Sequence, residues 1–554
     1  MAQNDHADHG HSSGTSMAAS TSTTTVGTSS LLGLGLAGHT EVFGELGFAD
    51  FLRAYADADR VFFADLKELN NSDAQGGALL FQDGDTLTVI TAASGVEAGQ
   101  PHAQHIHGFE DGREANIPTL AQDDDRDGFI EVAEGAETYG PILLDLTSPE
   151  GAGAAGFPRP EGSSYLFAQS YDLSDPVNGP LATLLDEAPL QNREIVIHGL
   201  TTLEGQGEGT GNEVDGTAGF KGFLPIASGE IEVASSNEAA VAAFVDTLDN
   251  FESNHVHAVD ADDDDTGDVN TTVTGDAEDG TADAETMEAA AVTDDSGHGT
   301  GDNGHGGADD DGSAGGGTTD ASGDGEAADG PVDTFGQLTF SGFLRAFVNA
   351  DDYYFAELEE LNNSDAEGGA LLLRDGDQLT VITAATGVEP GKTHVQHIHG
   401  FEDGRDSNVP TLAQDDDRDG FIELAEGLET YGPILLNLSS PNDDGVATFP
   451  TPSGDSFVFA QTYDLSDPAN GALATLLDEA PLENREIVLH GLTTLDGHGE
   501  GTPGEVDGTA GYKLVLPIAA GEIQKASSQE ALTAFADTLD DFGTKVQIND
   551  VMLG

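Results

Sequence analysis

The sequence predicts a mainly β protein: two tandem copies of an antiparallel sandwich or barrel, with short helices and a disordered acidic linker. Three observations carry this. Short apolar stretches alternate with period two, as half-buried strands do. Gly-rich turns separate them. The whole pattern recurs at one offset: Phe51-Leu52-Arg53 returns as Phe343-Leu344-Arg345, His107 as His399, His198 as His490 and Lys221 as Lys513, each pair 292 residues apart. We divide the chain of 554 residues into a disordered tail (1–40), a first domain (41–250), an acidic linker (251–334) and a second domain (335–546). The linker is built from Asp, Gly, Thr, Ala and Ser, with too little apolar surface to offset the entropy of ordering it.

Within the first copy the elements follow in order. Apolar spacing predicts a helix over residues 48–55. Residues 61–69 are apolar-rich but ambiguous between helix and strand, and Asn70-Asn71-Ser72-Asp73 makes a turn. A strand over 78–81, the turn Asp83-Gly84-Asp85 and an alternating strand over 86–92 read as a hairpin. Pro118 opens a short helix over 118–122, and Gly135 interrupts the helix that follows residue 131. Further strands are expected at 142–146, 164–169, 194–198 and 222–226, with helices at 182–186 and 237–248.

Residues 123–134, repeated as 415–426, fit an EF-hand-type calcium loop. Asp123, Asp125 and Asp127 stand at positions 1, 3 and 5, where a hard cation needs side-chain oxygens. Gly128 allows the sharp turn at position 6, and the Phe129 carbonyl is the position 7 ligand. Ile130 anchors the loop, Glu131 reaches the ion through water, and Glu134 closes the site as a bidentate ligand. The second loop offers Asp415, Asp417, Asp419, Phe421, Glu423 and Glu426. A bare Asp run such as residues 262–265 is only solvated surface; these loops differ because Gly, Ile and the distal Glu also fall in place, twice. Without long flanking helices, the loop is expected to be a structural Ca²⁺ site grafted into another fold rather than a sensor.

Acidic residues number 103 against 17 basic ones, a net charge of −86. Phosphate binding needs clustered Lys and Arg, so nucleic acid is excluded as a partner and anionic membrane surfaces are disfavoured. Self-repulsion on this scale is relieved by high salt or by bound cations, which suggests a halophilic source. There is no Cys, hence no disulfide and no thiolate metal site. No apolar run reaches the ~18 residues of a membrane span. The first 40 residues carry no Lys or Arg and only a short apolar patch at 31–37, unlike a secretory signal. A charge-rich calcium protein is nevertheless expected outside the cell or at its surface. The partners implied are metal ions; the sequence names no protein partner.

The histidines form the second constellation. His105 and His107 alternate within His102-Ala103-Gln104-His105-Ile106-His107-Gly108, so on a strand they share one face. His198 ends the apolar strand Glu194-Ile195-Val196-Ile197-His198. The second copy supplies His397, His399 and His490. Three imidazoles brought together suit Cu or Zn. The tail histidines His6, His9 and His11 and the linker histidines His255, His257, His298 and His305 are expected to be solvated.

These segments resemble the Cu/Zn superoxide dismutases. His102-x-x-His105-x-His107 is similar to that family's copper-binding segment, and Gly95-Val96-Glu97-Ala98-Gly99 to its lead-in. Arg193-Glu194-Ile195-Val196-Ile197-His198 resembles the strand that ends in a further copper ligand, and Gly216-Thr217-Ala218-Gly219-Phe220-Lys221 the turn that carries an anion-guiding Arg. The likeness covers about residues 61–226 and their repeat, with the motifs in family order. A looser likeness exists to chordin-type (CHRD) domains, which share the His-Ile-His-Gly segment. The resemblance implies a Greek-key β-sandwich, copper on His105, His107 and His198 (His397, His399 and His490 in the repeat), and catalytic guidance of superoxide by Lys221 and Lys513. It also implies that His102 and His394 are buried and hydrogen-bonded rather than ligating. The chain departs from the family where the metal-bridging His belongs: Gln122 stands there, at the mouth of the calcium loop, and no zinc-ligand His follows. The expected function is a calcium-binding protein that also holds a transition metal; the alternative is a copper-dependent superoxide dismutase.

Overall fold

A computed structural model describes residues 41–258 and 332–542, apart from 149–152, 179, 182–188, 211–212, 442–446, 472, 474–480 and 541. The tail, nearly all of the linker with His298 and His305, and the expected helix at 182–186 lie outside the described residues. The linker's first residues do not form coil: they continue a helix to Ala258.

Each copy is a sandwich made from one curled ten-stranded sheet, in the order β1-β7-β4-β3-β2-β9-β8-β5-β6 with β10 also paired to β2. The strands are β1 (Glu41–Phe43), β2 (Arg60–Glu68), β3 (Gln75–Asp83), β4 (Thr86–Ser94), β5 (Gln104–His107), β6 (Ile142–Asp145), β7 (Ser164–Asp172), β8 (Glu194–Thr202), β9 (Gly219–Glu230) and β10 (Glu232–Val233). The ambiguous stretch at 61–69 is therefore strand β2, and it joins the two layers. Arg60 to Leu66 pair with β3, whereas Lys67 and Glu68 pair with β9. After β4 the chain crosses to the other layer for β5 and β6 and returns to place β7 beside β4, the Greek-key path. Asp83 and Thr86 face each other across a two-residue turn, where Gly84 takes φ +52°. Alternate side chains of both layers fill the core: Phe62, Leu80, Val89, Phe167, Ile195 and Ile197 are among its fully buried residues.

The second copy repeats this order with β11 (Asp333–Gly336), β12 (Asp352–Glu360), β13 (Glu367–Asp375), β14 (Gln378–Thr386), β15 (Gln396–His399), β16 (Ile434–Asn437), β19 (Ser456–Asp464), β20 (Glu486–Thr494), β21 (Gly511–Glu522) and β22 (Gln524–Ala526). It adds a small hairpin of β17 (Ser440–Pro441) and β18 (Ala447–Thr448).

Besides short 3-10 turns, the described residues hold six α-helices: α1 (Phe48–Asp57), α2 (Val132–Tyr139), α3 (Asn237–Ala258), α4 (Phe340–Asn349), α5 (Leu424–Tyr431) and α6 (Ser528–Asp540). None is long and apolar enough to cross a membrane. Helix α1 buries Phe48, Phe51, Leu52 and Tyr55, a stripe at i, i+3, i+4 and i+7. Helix α4 buries the matching Phe340, Phe343, Leu344 and Phe347. The two stripes meet. Phe48 packs edge-on to Phe343 and Phe51 to Phe340, each at 5.2 Å between ring centres, and Tyr55 to Phe347 at 4.7 Å. Val241 and Phe244 of α3 and Leu532 and Phe535 of α6 join the same cluster, so one apolar core spans both copies. Arg53 pairs with Asp537 and Asp540, both at 2.7 Å, and Arg345 pairs with Asp249. These ion pairs are partly exposed and contribute little; the aromatic cluster holds the halves together. Truncating one of its phenylalanines to alanine costs about 3–5 kcal/mol.

Two local expectations are corrected. Residues 118–122 form a turn rather than a helix: Gln122 Oε1 accepts from the Thr119 N–H at 2.9 Å and the Thr119 hydroxyl at 3.1 Å, a local alternative to helical bonding. Gly135 does not interrupt α2, which runs through it. The ring of Tyr139 lies over this residue, where a Cβ would stand 2.4 Å from the ring. The helix carries glycine there because the space is filled by tyrosine.

Candidate metal centres

Strands β5 and β8 lie side by side, with His105 opposite Val196 and His107 opposite Glu194. His105, His107, Glu194 and His198 therefore project from the face opposite the core. A register shift on either side of His198 breaks the β8–β9 ladder, the kind of irregularity that re-aims a side chain. Gly199 follows at φ +114°, where a Cβ would meet the Phe220 ring at 2.8 Å. The three rings converge, at 5.5 Å (His105–His107), 5.1 Å (His105–His198) and 5.9 Å (His107–His198) between centres. One nitrogen from each lies within 4.8 Å of the other two, so the three rings form a compact cluster of donors. His397, His399 and His490 repeat the arrangement.

Backbone carbonyls assign the tautomers. A carbonyl only accepts, so His107 Nδ1–H donates to Gly140 O at 2.9 Å and His198 Nδ1–H to Phe223 O at 2.6 Å. Each Nε2 is left with its lone pair. His105 approaches Asp145 Oδ1 with Nε2 at 3.5 Å, which leaves Nδ1. Those three nitrogens are buried and have no hydrogen-bond partner among the described residues, and neither do His397 Nδ1, His399 Nε2 and His490 Nε2. The rings themselves are only 3–5 % exposed in the first copy. Burial strips the solvation of an imidazolium and its neighbours repel it. His105 falls to about 2 through burial, then His198 and His107; His107 falls to about 3 through burial, then His198; His198 falls to about 4 through burial. All three stay neutral at physiological pH, the state in which imidazole binds metal. His102 is different: Nδ1 contacts His198 O at 3.1 Å and Nε2 contacts Glu97 O at 3.0 Å, so it braces the backbone and does not face the triad.

The loop at 123–134 turns sharply on itself. Arg126 and Gly128, at positions 4 and 6, are left-handed with φ +64° and +93°. Asp123 accepts from the N–H groups of Arg126 (2.6 Å), Asp127 (3.2 Å) and Gly128 (3.0 Å), folding the chain around itself. Asp123, Asp125 and Glu134 bring one oxygen each within 4.8 Å of one another, as do Asp415, Asp417 and Glu426. Asp127 stands beside this group with Oδ1 on the Phe129 N–H at 2.8 Å. Glu131 turns away and accepts from Val214 N–H at 2.7 Å, tying the loop to the segment before β9. Asn70 clamps the loop to the sandwich: its amide donates to Ile130 O (2.9 Å) and Pro225 O (2.9 Å) and accepts from Ile130 N–H (2.7 Å). Burial and then the neighbouring Asp125, Asp123 and Glu134 raise Asp127; burial, then Glu505, Asp419 and Asp417, pushes Glu423 up to about 7.

The two centres are linked by α2. Its first turn carries Glu134; its last residue, Tyr139, packs edge-on to His107 at 4.6 Å between ring centres, and Gly140 follows with the carbonyl that His107 uses. Lys221, in register with Leu200 of β8, bonds Thr217 Oγ1 at 3.1 Å and lies 3.4 Å from Asp215; Lys513 does the same with Thr509 (3.2 Å) and Asp507 (3.5 Å). Neither lysine belongs to a triad. Sequence reasoning missed Asn70, Tyr139, Asp145 and the buried Glu194, whose carboxyl is pushed up to about 8 by burial. The only signal for Tyr139 is its spacing from Gly135, one turn earlier in α2. No protein-family model matches this chain, and no curated protein matches it either.

Proposed function

We propose that each half of the chain is a two-metal module, with copper on the imidazole triad and Ca²⁺ on the carboxylate loop. One observation carries this reading: six buried ring nitrogens, three in each half, converge without a hydrogen-bond partner among the described residues. Buried polar atoms normally find partners, and a transition metal would satisfy all three at once. His105, His107 and His198 would hold it, with the Gly140 and Phe223 carbonyls fixing two of the rings. Copper would supply one-electron redox chemistry, and the chain's own part is to hold neutral imidazoles in place and exclude water. In the loop, Asp123, Asp125 and Glu134 would ligate Ca²⁺, which would relieve their mutual repulsion. Extracellular modules bind Ca²⁺ with Kd about 10⁻⁴–10⁻³ M, which suits a protein outside the cell or at its surface. Copper titration of the full chain followed by elemental analysis tests the triads. Two copper ions per chain, lost in steps with His107→Ala and then His399→Ala, are expected; no uptake would sink the reading.

Copper-dependent superoxide dismutation is the second reading. Lys221 favours it, lying on the strand beside His198. Asp215 offsets part of that charge, and the triad is nearly closed to solvent, so metal holding comes first. Copper-loaded protein that removes superoxide no faster than buffer would end this reading.

A further inference from the structure

The two triads are not surrounded alike. His105 pairs in register with Asp145 on β6, and its Nε2 lies 3.5 Å from Asp145 Oδ1. His397 pairs in register with Asn437 on β16. The ligands, the carbonyl contacts of His107 and His399, and those of His198 and His490 are otherwise the same in both halves. The phenylalanine edge against the outer ring also recurs, as Phe157 at 5.3 Å from His105 and Phe449 at 5.6 Å from His397. Among the described residues, the exchange of Asp for Asn thus falls on the ligand ring that no backbone carbonyl orients in either copy.

Resting on the metal reading of the triads, we propose that Asp145 is a positioning residue that makes the first copper site tighter and harder to reduce than the second. A carboxylate 3.5 Å from Nε2 favours the tautomer with its proton on Nε2, in which Nδ1 carries the lone pair. It also makes that nitrogen a stronger donor, because negative charge beside the ring stabilises the positive charge a bound metal induces. Asn437, in register with His397, is neutral and adds no such charge. The stronger donor favours Cu²⁺ over Cu⁺. Carboxylates behind metal-bound histidines are worth about 10–100-fold in affinity. Asp145 is largely exposed, so its charge is screened and the low end applies. The proposal therefore is that one chain carries two copper sites of unequal affinity and potential.

The test uses the full chain and copper ions. Wild type should take up Cu²⁺ in two steps about tenfold apart, and redox titration should show two potentials separated by about 59 mV, the one-electron equivalent of tenfold. Asp145→Asn should merge them at the weaker value, and Asn437→Asp at the tighter one. Both changes are isosteric and near the surface, so unchanged melting of the metal-free variants separates tuning from damage. Two ions bound with equal affinity and potential, or a split that survives both substitutions, would overturn the proposal while leaving the triads as metal sites. No copper uptake at all would overturn the triad reading and this proposal with it.

Discussion

The two candidate centres of each half solve opposite electrostatic problems. The triad is a set of neutral, buried donors that converge from two neighbouring strands. The loop is a set of like charges near solvent, folded on its own N–H groups and held by Asn70. The difference teaches where each centre draws its stability. The triad loses by gaining protons; the loop loses by shedding them. On the proposed reading, a cation would relieve the loop and satisfy the triad, through different physics.

The largest expected effect comes from taking one ring away. His198→Ala should weaken copper at the first site by more than about 100-fold, beyond what a change behind a ligand costs, and leave the calcium response intact. Copper titration with a parallel calcium-dependent melt checks both halves of that statement; a lost calcium response would mean the centres are not separable. Next, calcium at 100 times its Kd should stabilise the protein by about 2.7 kcal/mol for each independent site, read as a rise in Tm. Asp125→Ala together with Asp417→Ala should abolish that gain and spare copper binding.

Acidity should pull the centres apart. The triad histidines have folded values far below that of an unfolded His, so their contribution is present above about pH 6.5 and is lost as pH falls below it. Glu423 is raised, to about 7, so its contribution is present below the unfolded value near 4.5 and is lost as pH rises through 7. Calcium stabilisation should therefore grow from pH 5 to 8, measured by melting with and without the ion; a flat profile would contradict the repulsion described for the loop. The smallest effect is expected at the helix between the centres. Tyr139→Phe removes a buried hydroxyl that has no partner among the described residues, and should change stability by less than about 1 kcal/mol. A loss above 2 kcal/mol would reveal a bond to that hydroxyl.

Much of this was legible in the residues. Period-two alternation marked the main strands, and His-x-His with the His after the apolar run 194–197 marked the triads, although β8 runs on to Thr202 rather than ending at His198. The loop's turn residues were equally legible. The shared core was not legible: the stripe of Phe48, Phe51, Leu52 and Tyr55 says that α1 buries a face, and nothing in it says that the face meets α4. Nor does sequence alone show that Asn70, 60 residues before Ile130, clamps the loop. Glu194 alternates like any outward strand residue, and only the folded chain shows it buried with Ser228 of β9 on its carboxyl.

The joined core carries one more consequence. Each half has a companion that never dilutes away, because the aromatic clasp is fed by an effective concentration set by the chain itself. Cutting the chain within residues 259–331 would remove that tether, and the two fragments, held only by the shared apolar core, should then separate on dilution as the intact chain does not. Duplication has given this molecule the geometry of a dimer without the dissociation that dimers suffer when scarce.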